Sequence, residues 1–245
     1  MNPQQKVFLR AEWKNLLIAN YVCDQQILKK YLPANTELDT YRGEHLVSLV
    51  AFQFLKTRVL GIQFPFHTNF VEVNLRFYVK YKESGEWKRG VVFVKEIVPR
   101  HIITFIANTF FNENYITLPT EYTIENTHPT LKLQYRWGDG NYFNAEANSE
   151  ASEINNNSLE EFITEHYWGF ARINDYKTMQ YGVEHPKWKT FPLLQYRLQC
   201  NFAALYGENF SYLSHTEPHS VLLAQGSNIL VRKGFQISGK TSSLL

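Results

Sequence analysis

Residues 69–80 read NFVEVNLRFYVK, and their strict alternation of apolar and polar side chains predicts a β-strand. The apolar positions need a covered face; they are Val71, Val73, Leu75, Phe77 and Val79. The other positions carry a carboxylate, a carboxamide, a guanidinium and a phenol in a row; they are Glu72, Asn74, Arg76 and Tyr78. This polar row either faces solvent or lines a site, and the two readings lead to different functions.

The composition is that of a folded, β-rich chain without an electrostatic partner. Of the 245 residues, 44% are hydrophobic, and the 15 Tyr and 18 Phe favour strands. The net charge of +2 and the absence of a basic cluster argue against nucleic acid as a partner. No apolar stretch approaches the roughly 20 residues of a membrane-spanning helix. Because no cationic segment followed by an apolar run opens the chain, we expect no signal peptide and a cytoplasmic protein.

No sequence motif indicates a cofactor. The two cysteines, Cys23 and Cys200, lie far apart and outside any CxxC pattern, so we expect reduced, buried thiols. Glycine-rich dinucleotide and phosphate loops are absent, as is the GxSxG pattern of α/β-hydrolases. The sequence therefore predicts no cofactor and none of these common chemistries.

The apolar patterns predict about ten strands and two or three helices in mixed order. Asp24 is a candidate N-cap for a helix over residues 25–31, and Ser158 opens a capping box for a helix over residues 159–166. The longest helix is expected after Pro99, where apolar residues recur at helical spacing and should pack on the sheet.

Strands joined by short turns favour antiparallel pairing, and a sheet of about ten strands usually curls or closes. We therefore expect an α+β fold built on a mostly antiparallel, closed or nearly closed β-barrel. Residues 131–147 illustrate the pattern, because LKLQYRWGDGNYFNAEA reads as a hairpin around a Gly-Asp-Gly turn. Residues 1–234 are predicted to form one domain and residues 235–245 a flexible tail.

Closure of a barrel would place one face of the 69–80 strand in the lumen. The apolar face should pack on the longest helix or on a neighbouring sheet, which leaves the polar row inside. Glu72 and Arg76 lie about 13 Å apart along a strand and do not pair directly. Because buried charges need partners, Asn74, adjacent strands or a ligand should satisfy them. An ordinary ion-pair network on a solvated face is the alternative.

The sequence resembles the YqjF-like family of uncharacterised proteins, a domain of unknown function numbered 2071. The pattern NFxEVNxRxYV at residues 69–79 carries the resemblance, and matching segments lie at residues 16–54, 162–170 and 183–188. Together they span most of residues 13–234. The family is grouped in fold with acetoacetate decarboxylase, and the resemblance implies a cone-like antiparallel barrel with an internal cavity.

Enzymes of that superfamily form a Schiff base on a lysine beside a second lysine, after a proline near the end of the central strand-and-helix region. The comparable stretch here, residues 110–119, reads FFNENYITLP and contains no lysine, so Schiff-base decarboxylation is not expected. Lys95 is the remaining candidate because it alternates with Val91 and Phe93, whereas Glu96 should point to the opposite face. The alternative for Lys95 is a strand-end lysine that reaches solvent.

Two clusters of histidine and aromatic residues are further candidates. His166 lies in EHYWGF after a predicted helix, and His185 lies in VEHPKW. Each can serve as a general acid or base, or can be a hydrogen-bonded residue packed among aromatics. Neither has the spacing of metal ligands, so no metal site is expected.

The favoured hypothesis is a barrel that binds a small organic acid or carbonyl compound, as an enzyme of lyase, hydratase or aldol type without a Schiff base. Arg76 would bind the carboxylate, and Glu72 would orient the ligand or exchange a proton. The further ligand-binding candidates are Asn74, Tyr78, His166, His185 and Lys95. The alternative is a non-catalytic module whose polar row sets the barrel register and whose surface binds a protein. Homo-oligomerisation stays open.

Overall fold

The structure is a computed structural model that describes residues 5–65 and 67–238. These residues form sixteen β-strands and four α-helices. The strands are β1 (Val7–Val22), β2 (Glu37–Leu38), β3 (Leu46–Val59), β4 (Phe70–Glu83), β5 (Glu86–Val98), β6 (Tyr115–Thr117), β7 (Thr120–Thr127), β8 (Thr130–Trp137), β9 (Asn141–Asn148), β10 (Ser152–Glu153), β11 (Trp168–Arg172), β12 (Lys177–Glu184), β13 (Lys189–Phe191), β14 (Leu193–Gln199), β15 (Ser220–Arg232) and β16 (Phe235–Ser238). The helices are α1 (Gln25–Lys29), α2 (His101–Phe111), α3 (Leu159–Thr164) and α4 (Phe202–Tyr206), with a 3-10 helix over Glu208–His215.

Seven strands of the larger sheet form a ring of hydrogen-bonded neighbours. The order is β15-β1-β3-β4-β5-β11-β12, and β12 pairs back to β15 through Val183 and Val231. The pairing of β5 with β11 is parallel, whereas the other pairings in the ring are antiparallel. The predicted α+β class is confirmed. The predicted barrel is matched only in part, because the ring contains a parallel pair.

The apolar face of β4 packs on a second sheet of four strands in the order β14-β9-β8-β7. Val73 and Phe77 belong to the same buried cluster as Tyr135 and Trp137 of β8. The hairpin predicted over residues 131–147 is confirmed as β8 and β9, which alternate buried and less buried positions. The neighbouring sheet, and not the longest helix, therefore covers this face of β4.

The helix starts follow the predicted caps. The Asp24 carboxylate accepts a hydrogen bond from the backbone N–H of Gln26 at 2.8 Å, and the Ser158 hydroxyl accepts one from Glu161 N–H at 3.2 Å. Both helices end two residues earlier than predicted, at Lys29 and Thr164. The prediction of two or three helices is wrong, because the structure has a fourth α-helix, α4, and a 3-10 helix after β14.

The helix α2 begins close to Pro99, as expected, but only Phe111 of its residues is buried. Its predicted packing stripe is matched only in part, because Ile103 and Ile106 pack against the buried cluster whereas Phe105 and Phe110 are exposed. The predicted tail is also partly wrong, because residues 235–238 form β16 and pair with β12; residues 239–245 lie outside the described part of the chain. Within the described residues, no helix is both long enough and apolar enough to cross a membrane.

Candidate functional site

A cavity lies inside the ring, and each of the seven ring strands contributes to its lining. Its volume is about 140 Å³, counted as the space open to the centres of water-sized molecules. One water needs roughly 10–15 Å³ on this measure, so the cavity has room for a ligand of on the order of ten heavy atoms. Phe64 and Ile102, which are 40% and 44% exposed, line its mouth.

The polar row of β4 points inward. Glu72, Asn74 and Arg76 line the cavity and are 3%, 1% and 7% exposed, so the solvated-face alternative is wrong. Tyr78 is buried but does not line the cavity. Its hydroxyl shares a hydrogen bond of 2.7 Å with the hydroxyl of Ser48. The prediction that the whole row faces one site is thus wrong for Tyr78.

Arg76 is a buried cation that forms no ion pair with another described residue. Its Nε also has no hydrogen-bond partner among the described residues. The aromatic ring of Tyr78 lies 6.0 Å from its Cζ, which is at the limit of a cation–π contact. An unpaired buried guanidinium is costly, so this position is suited to an anionic ligand.

Glu72 is held by two hydrogen bonds at the cavity wall. Its carboxylate accepts from the Asn74 amide at 2.8 Å and from the Tyr115 hydroxyl at 3.0 Å. Burial raises the pKa of Glu72 to about 7, although the two hydrogen bonds and the charge of Arg76 oppose the shift. The side chain can therefore exist in both protonation states near neutral pH.

A β-bulge in β5 reverses the predicted orientations of Lys95 and Glu96. The register with β4 shifts at Val94, so Phe93 lines the cavity but Lys95, two positions further, does not. The ammonium of Lys95 donates instead to the backbone carbonyl of Leu205. Glu96 faces the cavity. Lys95 is therefore wrongly predicted as a site residue, and among the described residues no lysine lines the cavity.

The stretch after α2 supplies two further polar residues that the sequence did not identify. Asn112 adopts a left-handed φ of 56° and ends α2, and β6 then runs parallel to β5 with Tyr115 opposite Glu96. Glu113 lines the cavity and accepts a hydrogen bond of 2.6 Å from the Tyr181 hydroxyl. The family resemblance points only to lysines in this stretch, although the sequence contains a carboxylate and a phenol there.

Two of the three cavity carboxyls, Glu96 and Glu113, favour the protonated form at neutral pH. Burial, together with the charge of Glu72, raises the pKa of Glu113 to about 8. Burial and the two other carboxylates raise the pKa of Glu96 well above its usual range, and one of its oxygens has no partner among the described residues. Like charges in a dry site disfavour joint ionisation. Near neutral pH, the cavity therefore holds protons that it can donate.

Both predicted histidines line the cavity. Burial lowers the pKa of His166 and of His185 to about 4, so both are neutral at pH 7. The Nε2 of His166 lies 3.3 Å from the carboxylate of Asp39, which also accepts a hydrogen bond of 2.6 Å from Arg89. The imidazole of His185 stacks on Trp188 at a centroid distance of 4.1 Å. These contacts fix both rings in place.

The described residues contain no group of three or more His, Cys, Asp or Glu side chains arranged to hold a metal ion. Cys23 and Cys200 are buried and form no disulfide, as predicted. Acid–base and hydrogen-bonding chemistry is what these cavity residues themselves can provide.

Comparison with known proteins places the chain in a family. The model of the family DUF2071, described as an uncharacterized conserved protein, matches residues 10–228. The chain is 34% identical over 109 residues to the uncharacterized protein YqjF of Bacillus subtilis (strain 168). That alignment covers 44% of this chain and 43% of YqjF, so it spans less than half the length of the curated relative.

Solved structures similar to this chain share its fold at low sequence identity. Acetoacetate decarboxylase from Legionella pneumophila gives a TM-score of 0.63 at 13% identity, over 94% of this chain and 87% of that chain. The enduracididine biosynthesis enzyme MppR complexed with pyruvate gives 0.61 at 10% identity, over 97% and 93%. The resemblance predicted from residues 69–79 is confirmed: the chain belongs to the DUF2071 family of uncharacterized conserved proteins and has an acetoacetate decarboxylase-like fold.

Proposed function

We propose that the strand ring acts as a barrel whose lumen binds a small organic acid. Arg76 is the residue that binds the carboxylate of this acid. The observation that carries the proposal is the buried guanidinium on the cavity wall without an ion pair among the described residues. A guanidinium binds a carboxylate through two parallel hydrogen bonds, and the bound anion would supply the missing countercharge. One structural neighbour is complexed with pyruvate, which supports this ligand class.

We propose proton transfer as the chemistry of the site. Glu72, with a pKa of about 7, can accept a proton from a carbon next to a carbonyl group. The protonated carboxyls of Glu96 and Glu113 can donate to the oxygen on which negative charge develops. This division of roles fits lyase, hydratase or aldol reactions. A cavity in contact with Glu72 and Arg76 favours it over a non-catalytic module with a lumen packed shut.

Thermal denaturation tests the proposed binding. Pyruvate, acetoacetate and butanoate should each raise the melting temperature, whereas butanamide at the same concentration should not, because it lacks the charge that Arg76 requires. Sodium chloride at matched ionic strength is the control for general salt effects. Equal shifts with butanoate and butanamide would contradict a carboxylate site.

Sodium borohydride in the presence of pyruvate or acetoacetate should leave the protein mass unchanged. A Schiff base needs an amine in the cavity, and the amine of Lys95 is bound to the Leu205 carbonyl on the other side of β5. Intact-protein mass spectrometry, compared with the variant Lys95→Arg, measures the adduct. A pyruvate adduct that is present in the native protein and lost in the variant would show that the Schiff-base chemistry takes place on Lys95.

A further inference from the structure

The side chains that line the cavity change from charged and polar to apolar along β4. Arg76, Asn74 and Glu72 occupy successive inward positions, and Phe70 is the next inward residue of the strand, about 20 Å from Arg76. Residues before Phe70 lead to Phe64 at the mouth. The charged group therefore lies deep in the cavity, and the wall becomes mostly apolar towards the opening, where the lining also includes the polar side chains of Thr57 and His67.

Five aromatic residues, which we call the aromatic wall, form a continuous surface on the side of β1, β3 and β4. Trp13 contacts Phe52 and Phe54 edge-on at centroid distances of 5.3 and 5.6 Å. Phe54 stacks on Phe70 at 4.8 Å with an interplanar angle of 13°, and Trp188 lies 6.3 Å from Trp13. All five line the cavity as well as belonging to or packing against the buried core, so they form the apolar wall that a ligand in the cavity would contact.

The opposite side of the mouth is apolar as well. The helix α2 lines it with Ile102, Ile103, Ile106 and Ala107. None of these positions provides a polar side chain to a ligand. A molecule that reached from Arg76 to the mouth would thus pass between apolar surfaces over the outer part of its length.

Arg76 is also the single arginine or lysine among the described residues that line the cavity. The lining contains three histidines. His166 and His185 are neutral at pH 7 because burial lowers their pKa values, and His67 lies near the mouth with its Nδ1 2.7 Å from the Pro65 carbonyl oxygen. A second anionic group on the ligand would have to sit beside the carboxyls or the aromatic wall without a cation. In the buried part of the cavity, the charge balance therefore fits one carboxylate.

We propose that the ligand is a monocarboxylate whose remainder is an apolar or aryl tail, with the carboxylate at Arg76 and the tail along the aromatic wall towards α2. This inference rests on the proposed function and specifies its ligand. The cavity volume corresponds to on the order of ten heavy atoms, which is the size of octanoate or 3-phenylpropanoate. Burial of the tail supplies the affinity that a short acid cannot reach.

Calorimetric titration with butanoate, hexanoate, octanoate and 3-phenylpropanoate tests the tail. Each buried methylene should tighten binding by about threefold to fourfold, so octanoate should bind at least about tenfold more tightly than butanoate. Octanedioate, which has the same chain with a second carboxylate, should bind at least about tenfold more weakly than octanoate. Octanamide has the same chain length as octanoate but no charge, so the ratio of their affinities measures the contribution of the charge alone.

The variant Ala107→Phe should fill the space between α2 and the aromatic wall. We expect it to weaken octanoate binding by about tenfold or more and to leave butanoate binding within about threefold. Thr109→Phe, on the same helix but exposed and outside the cavity lining, is the matched control and should change neither affinity. Circular dichroism checks that both variants fold.

The outcomes separate this inference from the proposed function. Carboxylates that bind better than octanamide but with affinities independent of tail length, or octanedioate that binds as tightly as octanoate, would overturn the apolar-tail inference and leave the proposed function standing. Octanamide that binds as tightly as octanoate would overturn the carboxylate site itself. If Ala107→Phe weakens butanoate and octanoate equally, the tail does not lie under α2, and the inference fails.

Discussion

Replacement of Arg76 by methionine should reduce butanoate binding by about 100-fold or more and leave the free protein at least as stable as the native one. A hydrogen bond to a charged group contributes about 1.5–3 kcal/mol, and a bidentate carboxylate contact contains two. Without ligand, Arg76 is a buried cation with no ion pair among the described residues. Methionine keeps most of the side-chain volume and removes the cost of burying that charge. Calorimetric titration and urea denaturation measure the two effects.

The opposite responses of affinity and stability distinguish a ligand-binding arginine from a structural one. Arg136→Met, an exposed position on β8 outside the ring, is the matched control and should change neither quantity appreciably. If Arg76 only supported the fold, its replacement would destabilise the protein equally with and without ligand. That result would contradict the proposed role of Arg76 in ligand binding. Arg76→Lys should recover part of the affinity, because the charge remains but the bidentate geometry is lost.

The alternation in residues 69–80 was sufficient to predict the central strand and the inward direction of its polar row. Period-two patterning fixes which side chains share a face, and a uniformly apolar opposite face requires cover. Glu72, Asn74 and Arg76 follow from this argument alone. Tyr78 follows the same period but lies beyond the cavity, because the extent of a cavity along a strand depends on elements that pack against it.

The carboxyl cluster was not predictable by the same reasoning. The bulge at Val94 turns Glu96 towards the cavity and Lys95 away from it. The side-chain amide of Asn114 donates a hydrogen bond of 2.9 Å to the Val94 carbonyl. That bond joins residues 20 positions apart, so no local pattern reports it. Tyr181 reaches Glu113 from β12, 68 positions away. The site therefore combines one strand that the sequence specifies with contacts that only the tertiary fold creates.

The carboxyl cluster has a measurable consequence for stability: the free energy of unfolding should fall as pH rises from about 6.5 to about 8.5. In the unfolded chain, Glu72 and Glu113 lose their protons near pH 4.5, whereas in the folded protein their pKa values are about 7 and about 8. Over this interval the folded state binds more protons than the unfolded state. The stability is thus greatest on the acidic side and is lost as pH rises through the folded pKa values.

The histidines change the free energy of unfolding in the opposite direction, and they do so over a lower pH range. His166 and His185 have folded pKa values of about 4 against 6.5 for an ordinary histidine, so their contribution is present above pH 6.5 and is lost as pH falls towards 4. Between pH 4.5 and 6.5 the histidines and the carboxyls oppose each other. Above pH 6.5, of these groups only the carboxyls still change the free energy of unfolding with pH, so its fall is caused by their ionisation.

The variant Glu113→Gln should reduce the fall in the free energy of unfolding between pH 6.5 and 8.5 by up to about 1.4 kcal/mol per pH unit. The variant should also be more stable than the native protein at pH 8.5. Its amide oxygen can still accept the Tyr181 hydrogen bond, so the contact is kept while one proton is removed from the titration. Glu125→Gln, an exposed position on β7, is the control and should leave the slope unchanged. Urea denaturation at half-unit steps of pH measures the slope. A native protein with constant or rising stability over this range would mean that the cavity carboxyls ionise like exposed ones, and the site would lose its proton donors.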